Sequence, residues 1–158
     1  MEAQVLGARG SPAEPEARLA RARDLGDVQL LDARLVCGRD HLLSAAEHAE
    51  RAMHQGTNVA KSLTMEFVVY ASGERQIADA LAKMGIRSDT TEFAVVVFAG
   101  DPAKALGALG LAWDDAVLEP TAAKLLAFGI TEAELATLPP ERAADLVLER
   151  VALVDLLK

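Results

Sequence analysis

The sequence predicts one small domain of the α/β to α+β class, a mixed or antiparallel sheet covered by helices, with a helical C-terminal part. Three observations lead there. The chain has 158 residues, within the usual span of about 100–200 for one domain, so 1–158 is read as a single unit. Its 31 alanines and 23 leucines, against 4% aromatics, favour helices packed closely over small side chains. Apolar runs rich in valine, bounded by glycine or polar residues, interrupt the helical pattern and supply strands.

Residues 7–15 form a turn-rich break, and the β-branched and leucine content of 28–36 predicts a strand. Asp40 then caps a helix over 41–55, in which Leu42, Ala45, Ala46, Ala49, Ala52 and Met53 recur at three- and four-residue spacing before Gly56 ends it. A second strand is predicted over 64–71, with Met65, Phe67 and Val69 on one face and Glu66, Val68 and Tyr70 on the other. Ser72 and Gly73 turn into a helix over 74–84 that buries Ile77, Ala80, Leu81 and Met84 and stops at Gly85. The run 93–99 is apolar throughout, which predicts a central strand covered on both faces.

Asp101 followed by Pro102 signals a helix start, an oxygen cap and then a proline where no amide is missed, with the helix running to about residue 109. A brief strand over 116–119 and a short helix over 121–128 closed by Gly129 follow, and Thr131 with Glu134 fits a capping box. Pro139 and Pro140 introduce the last helix. At 100° per residue its apolar side chains, Leu146, Val147, Val151, Leu153, Val154 and Leu157 among them, spread over an arc of roughly 220° that also holds Arg150. One packed face needs about half of that. Either the helix is buried deeply, or one edge is an apolar strip for another protein.

The net charge of −8 disfavours a protein that grips nucleic acid through a bulk positive field. Most of that acidity lies beyond residue 90, so a local site with a few cations is still available in the first part of the chain. A single cysteine, Cys37, excludes an internal disulfide framework, and no exit signal or membrane-spanning run is present, so a cytoplasmic location is expected.

Catalytic constellations are hard to find. Cys37 and His41, with His48 and His54, are the nearest approach to a metal site, but neither CxxC nor HExxH occurs and the histidines read as solvated surface residues. Neither GxSxG nor a phosphate loop is present, and Asp114 and Asp115 read as solvent-facing loop acids. Two polar stretches stand out instead. Gly56-Thr57-Asn58-Val59-Ala60-Lys61 follows a helix stop, and Ser72-Gly73-Glu74-Arg75-Gln76-Ile77 leads into a helix N-terminus, where free amides and directed side-chain donors attract anions.

Together these stretches carry a resemblance. The ordered series Gly38-x-x-His41-Leu42-Leu43-x-Ala45, Gly56-Thr57-Asn58-x-Ala60-Lys61, Met65-Glu66-x-x-x-Tyr70-x-x-Gly73-x-Arg75-Gln76-Ile77 and Gly85-Ile86 resembles the smallest regulatory subunit of the KEOPS complex, the PRPK-binding protein (TPRKB) family. The match covers about residues 30–99, with looser similarity over most of the rest, and the alanine content and negative charge suit an archaeal member. The resemblance implies a non-catalytic subunit without metal or other cofactor. Its partners are the kinase-like ATPase of KEOPS, through it the rest of the complex, and transfer RNA, in the pathway to threonylcarbamoyladenosine.

Carried onto this chain, the resemblance makes Thr57, Asn58, Lys61, Gly73, Arg75 and Gln76 the candidates for binding the single-stranded CCA end, with Tyr70 the nearest aromatic for base stacking. It makes Leu146, Arg150, Leu153 and Leu157 on the last helix the candidates for the kinase contact. Two other classes compete: a small-molecule sensor with a pocket beside Gly73, and a small metal-dependent enzyme using Cys37 and His41.

Overall fold

The computed structural model describes residues 2–158; Met1, where the single-domain reading begins, lies outside them. Four strands, β1 (Gln4–Arg9), β2 (Val28–Asp32), β3 (Glu92–Val97) and β4 (Ala112–Trp113), form one sheet in the order β2-β3-β1-β4. Every pairing is antiparallel. Eight helices surround it among the described residues: α1 (Pro15–Asp24), α2 (Arg39–Gln55), α3 (Leu63–Ser72), α4 (Ile77–Met84), α5 (Pro102–Leu109), α6 (Ala122–Phe128), α7 (Glu132–Leu135) and α8 (Asp145–Leu157). This is the α+β class with a helical C-terminal part, and the sheet is purely antiparallel.

Because successive strand residues point to opposite faces, the sheet feeds two cores. Val5, Leu31, Ala94 and Val96 join the larger one with α2, α3, α4, α6 and α8, while Leu6, Leu30, Phe93 and Val95 join the smaller one with α1 and α5. A strand covered on both faces has no polar side, which is why β3 reads as an unbroken apolar run. As expected from that run, β3 is central, flanked by β2 and β1.

Two of the cap signals hold: Asp101 accepts the Ala103 amide with Pro102 beside it, and Thr131 and Glu134 form a reciprocal capping box. Thr121, read as the first helical residue, is instead the cap of α6 and accepts the Lys124 amide. Gly56 closes α2 in the left-handed region at φ 73°.

Several expectations are corrected. Residues 64–71 are not a strand but most of α3: Ser62 accepts the Met65 amide at the helix start, and Glu66 through Ser72 are buried on every side. A helix buried all round shows no polar face, so its 3.6-residue period leaves no trace in the sequence. The strand predicted over 28–36 ends at Asp32, whose carboxylate accepts the Arg34 amide and turns the chain into a 3₁₀ turn over Ala33–Leu35. Residues 116–118 likewise belong to a 3₁₀ turn, Asp115–Leu118, started by Asp114 and followed by Glu119, and the fourth strand lies earlier, at Ala112–Trp113.

Asp40 lies within the first turn of α2, which begins at Arg39 after Gly38, so it is not the cap. Helix α4 starts at Ile77 rather than 74, and Leu81 on it is exposed. The break over 7–15 is shorter than expected, since β1 runs to Arg9 and α1 starts at Pro15. A 3₁₀ turn over Pro140–Arg142 precedes the last helix. No helix among the described residues is long and apolar enough to cross a membrane.

Candidate functional site

The two polar stretches lie at opposite ends of α3, whose ten residues separate them by about 15 Å. Before α3, Thr57 and Lys61 are exposed and Asn58 half-buried. This loop is shaped from within. The fully buried Glu66 carboxylate accepts the Val59 and Ala60 amides on one oxygen, at 3.0 and 2.8 Å, and the Asn58 side chain donates to the Ala60 carbonyl at 2.8 Å. After α3, Gly73 takes the left-handed conformation at φ 73° that a side chain would strain, the Ser72 hydroxyl accepts the Glu74 amide, and Gln76 is the N-cap residue of α4. Arg75 and Gln76 are exposed.

The last turn of α8 bridges these loops. Lys158 donates to the second Glu66 oxygen at 2.7 Å, and Arg75 donates to the Leu157 carbonyl at 3.5 Å. Asp155 accepts the Tyr70 hydroxyl and lies 2.9 Å from His48 Nδ1, and the His48 and Tyr70 rings stack with centroids 5.3 Å apart. Tyr70 is therefore a buried packing residue and is not available to stack on a base. Burial opposes ionisation of Asp155, but the Tyr70 and His48 hydrogen bonds outweigh it and hold the carboxyl below its usual range.

On the rest of α8, Val147, Val151 and Val154 are buried, whereas Leu153, Leu156 and Leu157 are 37%, 80% and 51% exposed. Of the four residues expected on the apolar strip, Leu153 and Leu157 are exposed. Leu146 is half-buried against the core, and Arg150 is tied to both Glu134 carboxylate oxygens at 2.8 and 3.0 Å. Leu156 was missed because it falls outside the predicted arc, beyond the polar Glu149; an isolated exposed leucine leaves no periodic signal. A cleft of about 310 Å³ adjoins Gly73, with Lys83, Phe128 and Arg150 in its wall.

Cys37 and His41 are not a metal site, and His41 is not a surface residue. It is 1% exposed; its Nδ1 accepts the Cys37 amide at 3.0 Å and its Nε2 reaches the Ala71 carbonyl at 2.7 Å, so both ring nitrogens are occupied. Burial lowers its pKa to about 4 and raises that of the buried Cys37 thiol to about 11. No cluster of three or more potential metal-binding side chains occurs among the described residues. His54 is exposed as expected, Asp114 caps the 3₁₀ turn, and the exposed Asp115 accepts the Trp113 indole N–H and the Gly7 amide.

A family model described as kinase binding protein CGI-121 matches residues 11–154 of the chain. No curated protein matches it.

Proposed function

Because the chain belongs to the kinase binding protein CGI-121 family, the TPRKB family of KEOPS subunits, we propose that it is a non-catalytic adaptor that docks a kinase-like ATPase through α8. One observation carries this reading: on a helix already anchored by Val147, Val151 and Val154, three leucines at the C-terminal end face water. Exposed leucines grouped in one helical turn are costly to leave wet, and covering them with an apolar partner surface recovers that cost. Leu153, Leu156 and Leu157 form the centre of the contact, with Leu146 and Arg150 at its margin.

Transfer RNA is the second partner in this reading, held by its CCA end in the cytoplasm on the way to threonylcarbamoyladenosine. Thr57, Asn58 and Lys61 contribute from one end of α3, and Gly73, Arg75 and Gln76 from the other. Neither Lys61 nor Arg75 belongs to an ion pair among the described residues, so no carboxylate competes with phosphate for either charge. A single-stranded end exposes its base edges, so a few donors and two cations suffice where net charge is negative.

Mixing the chain with its cognate kinase gives a stable complex at micromolar concentration, and Leu153→Glu weakens it by at least about tenfold. Absence of a complex overturns the kinase assignment. Lys61→Ala or Arg75→Ala weakens binding to intact transfer RNA more than to transfer RNA lacking CCA. Equal affinity of the unaltered chain for both RNAs overturns the RNA assignment.

A further inference from the structure

Glu66 is a carboxylate with no access to water, and it divides its two oxygens between two regions of the chain. One oxygen accepts the Val59 and Ala60 amides and so fixes the loop that carries Thr57, Asn58 and Lys61. The other accepts the Lys158 ammonium, whose side chain is 5% exposed and lies 4.4 Å from the Tyr70 ring centroid. Asp155 joins the same turn of α8 to Tyr70 and His48, and the Leu157 carbonyl takes a donor from Arg75. The final turn of α8 thus meets one polar loop directly, at Arg75, and the other through Glu66, while Leu153, Leu156 and Leu157 at the same end face outward.

The outer side of this turn is unpacked, with Leu153, Leu156 and Leu157 exposed, so it opens more readily than the part of α8 anchored by Val147 and Val151. Each opening takes Lys158 off Glu66 and leaves the carboxylate with neutral donors alone. We propose that Glu66 is the positioning residue of the 57–61 loop, and that Lys158 makes its hold depend on the last turn of α8, so that a protein docked on Leu153, Leu156 and Leu157 tightens RNA binding. This rests on the adaptor reading above and adds to it a coupling between its two surfaces. By linkage the effect is reciprocal: bound RNA tightens the protein contact by the same factor.

The test compares RNA affinity with and without the kinase for the unaltered chain, Lys158→Met and the conservative Lys158→Arg, each first shown to be folded by its thermal transition. The kinase raises RNA affinity about fivefold or more in the unaltered chain and in Lys158→Arg, and the enhancement falls toward one in Lys158→Met. Equal enhancement in Lys158→Met means that the kinase supplies RNA contacts of its own, which overturns the coupling. A second readout needs no RNA: amide exchange at Val59 and Ala60 slows about tenfold when the kinase binds the unaltered chain and does not slow in Lys158→Met. Unchanged exchange in the unaltered complex overturns the coupling even where both partners bind. A chain that binds the kinase but no RNA loses the RNA assignment, while exchange still decides whether the loop responds. Failure to bind the kinase overturns both readings.

Discussion

His41 Nδ1 accepts the backbone N–H of Cys37 at 3.0 Å, so the ring proton resides on Nε2, which donates to the Ala71 carbonyl at 2.7 Å. The imidazole is therefore a neutral brace between the start of α2 and the end of α3, with the Phe128 ring edge-on at 5.2 Å. Adding a proton would destroy the bond from Cys37 and bury a charge.

That brace makes stability depend on pH. Burial lowers the His41 pKa to about 4 from its ordinary 6.5, so between those values the unfolded chain takes up a proton that the native chain refuses. The contribution is fully present above 6.5 and is lost as pH falls toward 4, about 3 kcal/mol in all. Urea unfolding from pH 7.5 to 4.5 will show the loss, and His41→Gln, though less stable at pH 7.5, will have a shallower slope across that window. Parallel slopes would refute the assignment.

Cys37 is chemically quiet for a related reason. Burial raises its thiol to about pKa 11, against the opposing influence of the Lys124 and Lys83 charges. Alkylation at pH 8 is expected to run about a hundredfold slower in the native protein than in urea. Comparable rates in the two conditions would show that the thiol is exposed.

Glu66→Gln removes the charge that pairs with Lys158 but keeps an acceptor for the loop amides. The expected loss is about 2 kcal/mol, less than for a pair deep in a core, because Lys158 at the helix end can swing into water. Chemical denaturation measures it, and an unchanged midpoint would mean that the pair contributes nothing net.

Gly7 in β1 is required by a close approach. A Cβ there would lie 2.5 Å from the Asp114 carbonyl oxygen and 2.9 Å from the Asp115 Cα, both backbone atoms of the adjoining turn. The Gly7 amide also donates to the Asp115 side chain at 2.9 Å, which fixes the turn in place. Gly7→Ala is expected to cost about 3 kcal/mol and lower the melting midpoint by roughly 10 °C.

The two faces of α8 are separable by substitution. Val151→Ala, at a fully buried position, costs about 2 kcal/mol of stability. Leu156→Gln, at a position 80% exposed, changes stability by less than about 0.5 kcal/mol while weakening the kinase complex. A Leu156→Gln protein that binds the kinase normally would move the contact elsewhere.

Elements that announce themselves chemically were legible in the sequence: α5 through Asp101 and Pro102, α6 through its stop at Gly129, and α7 through its capping box. Helix α3 was not, because Phe67, Val68, Val69 and Tyr70 are all enclosed and no polar face marks its turn. Strand β1 was hidden by Gly7, which reads as a loop residue until the Asp114 backbone is seen against it. The two polar loops were found by composition, but their separation followed only once α3 was a helix, which spans about half the length of a strand of equal residue count. The role of Glu66 was invisible because its partners, Ala60 and Lys158, are far apart in the chain.

The strand order also has a consequence for biosynthesis. β1 ends at Arg9, while its neighbours in the sheet begin at Glu92 and Ala112. In a chain made from its N-terminus, Val5 and Leu6 wait without a strand partner while roughly eighty residues are added, on the order of ten seconds at ordinary elongation rates. Through that interval the nascent chain carries a sticky, unzipped ribbon, so its yield in the cell depends on how well chaperones shield that ribbon until the hairpin-distant half emerges.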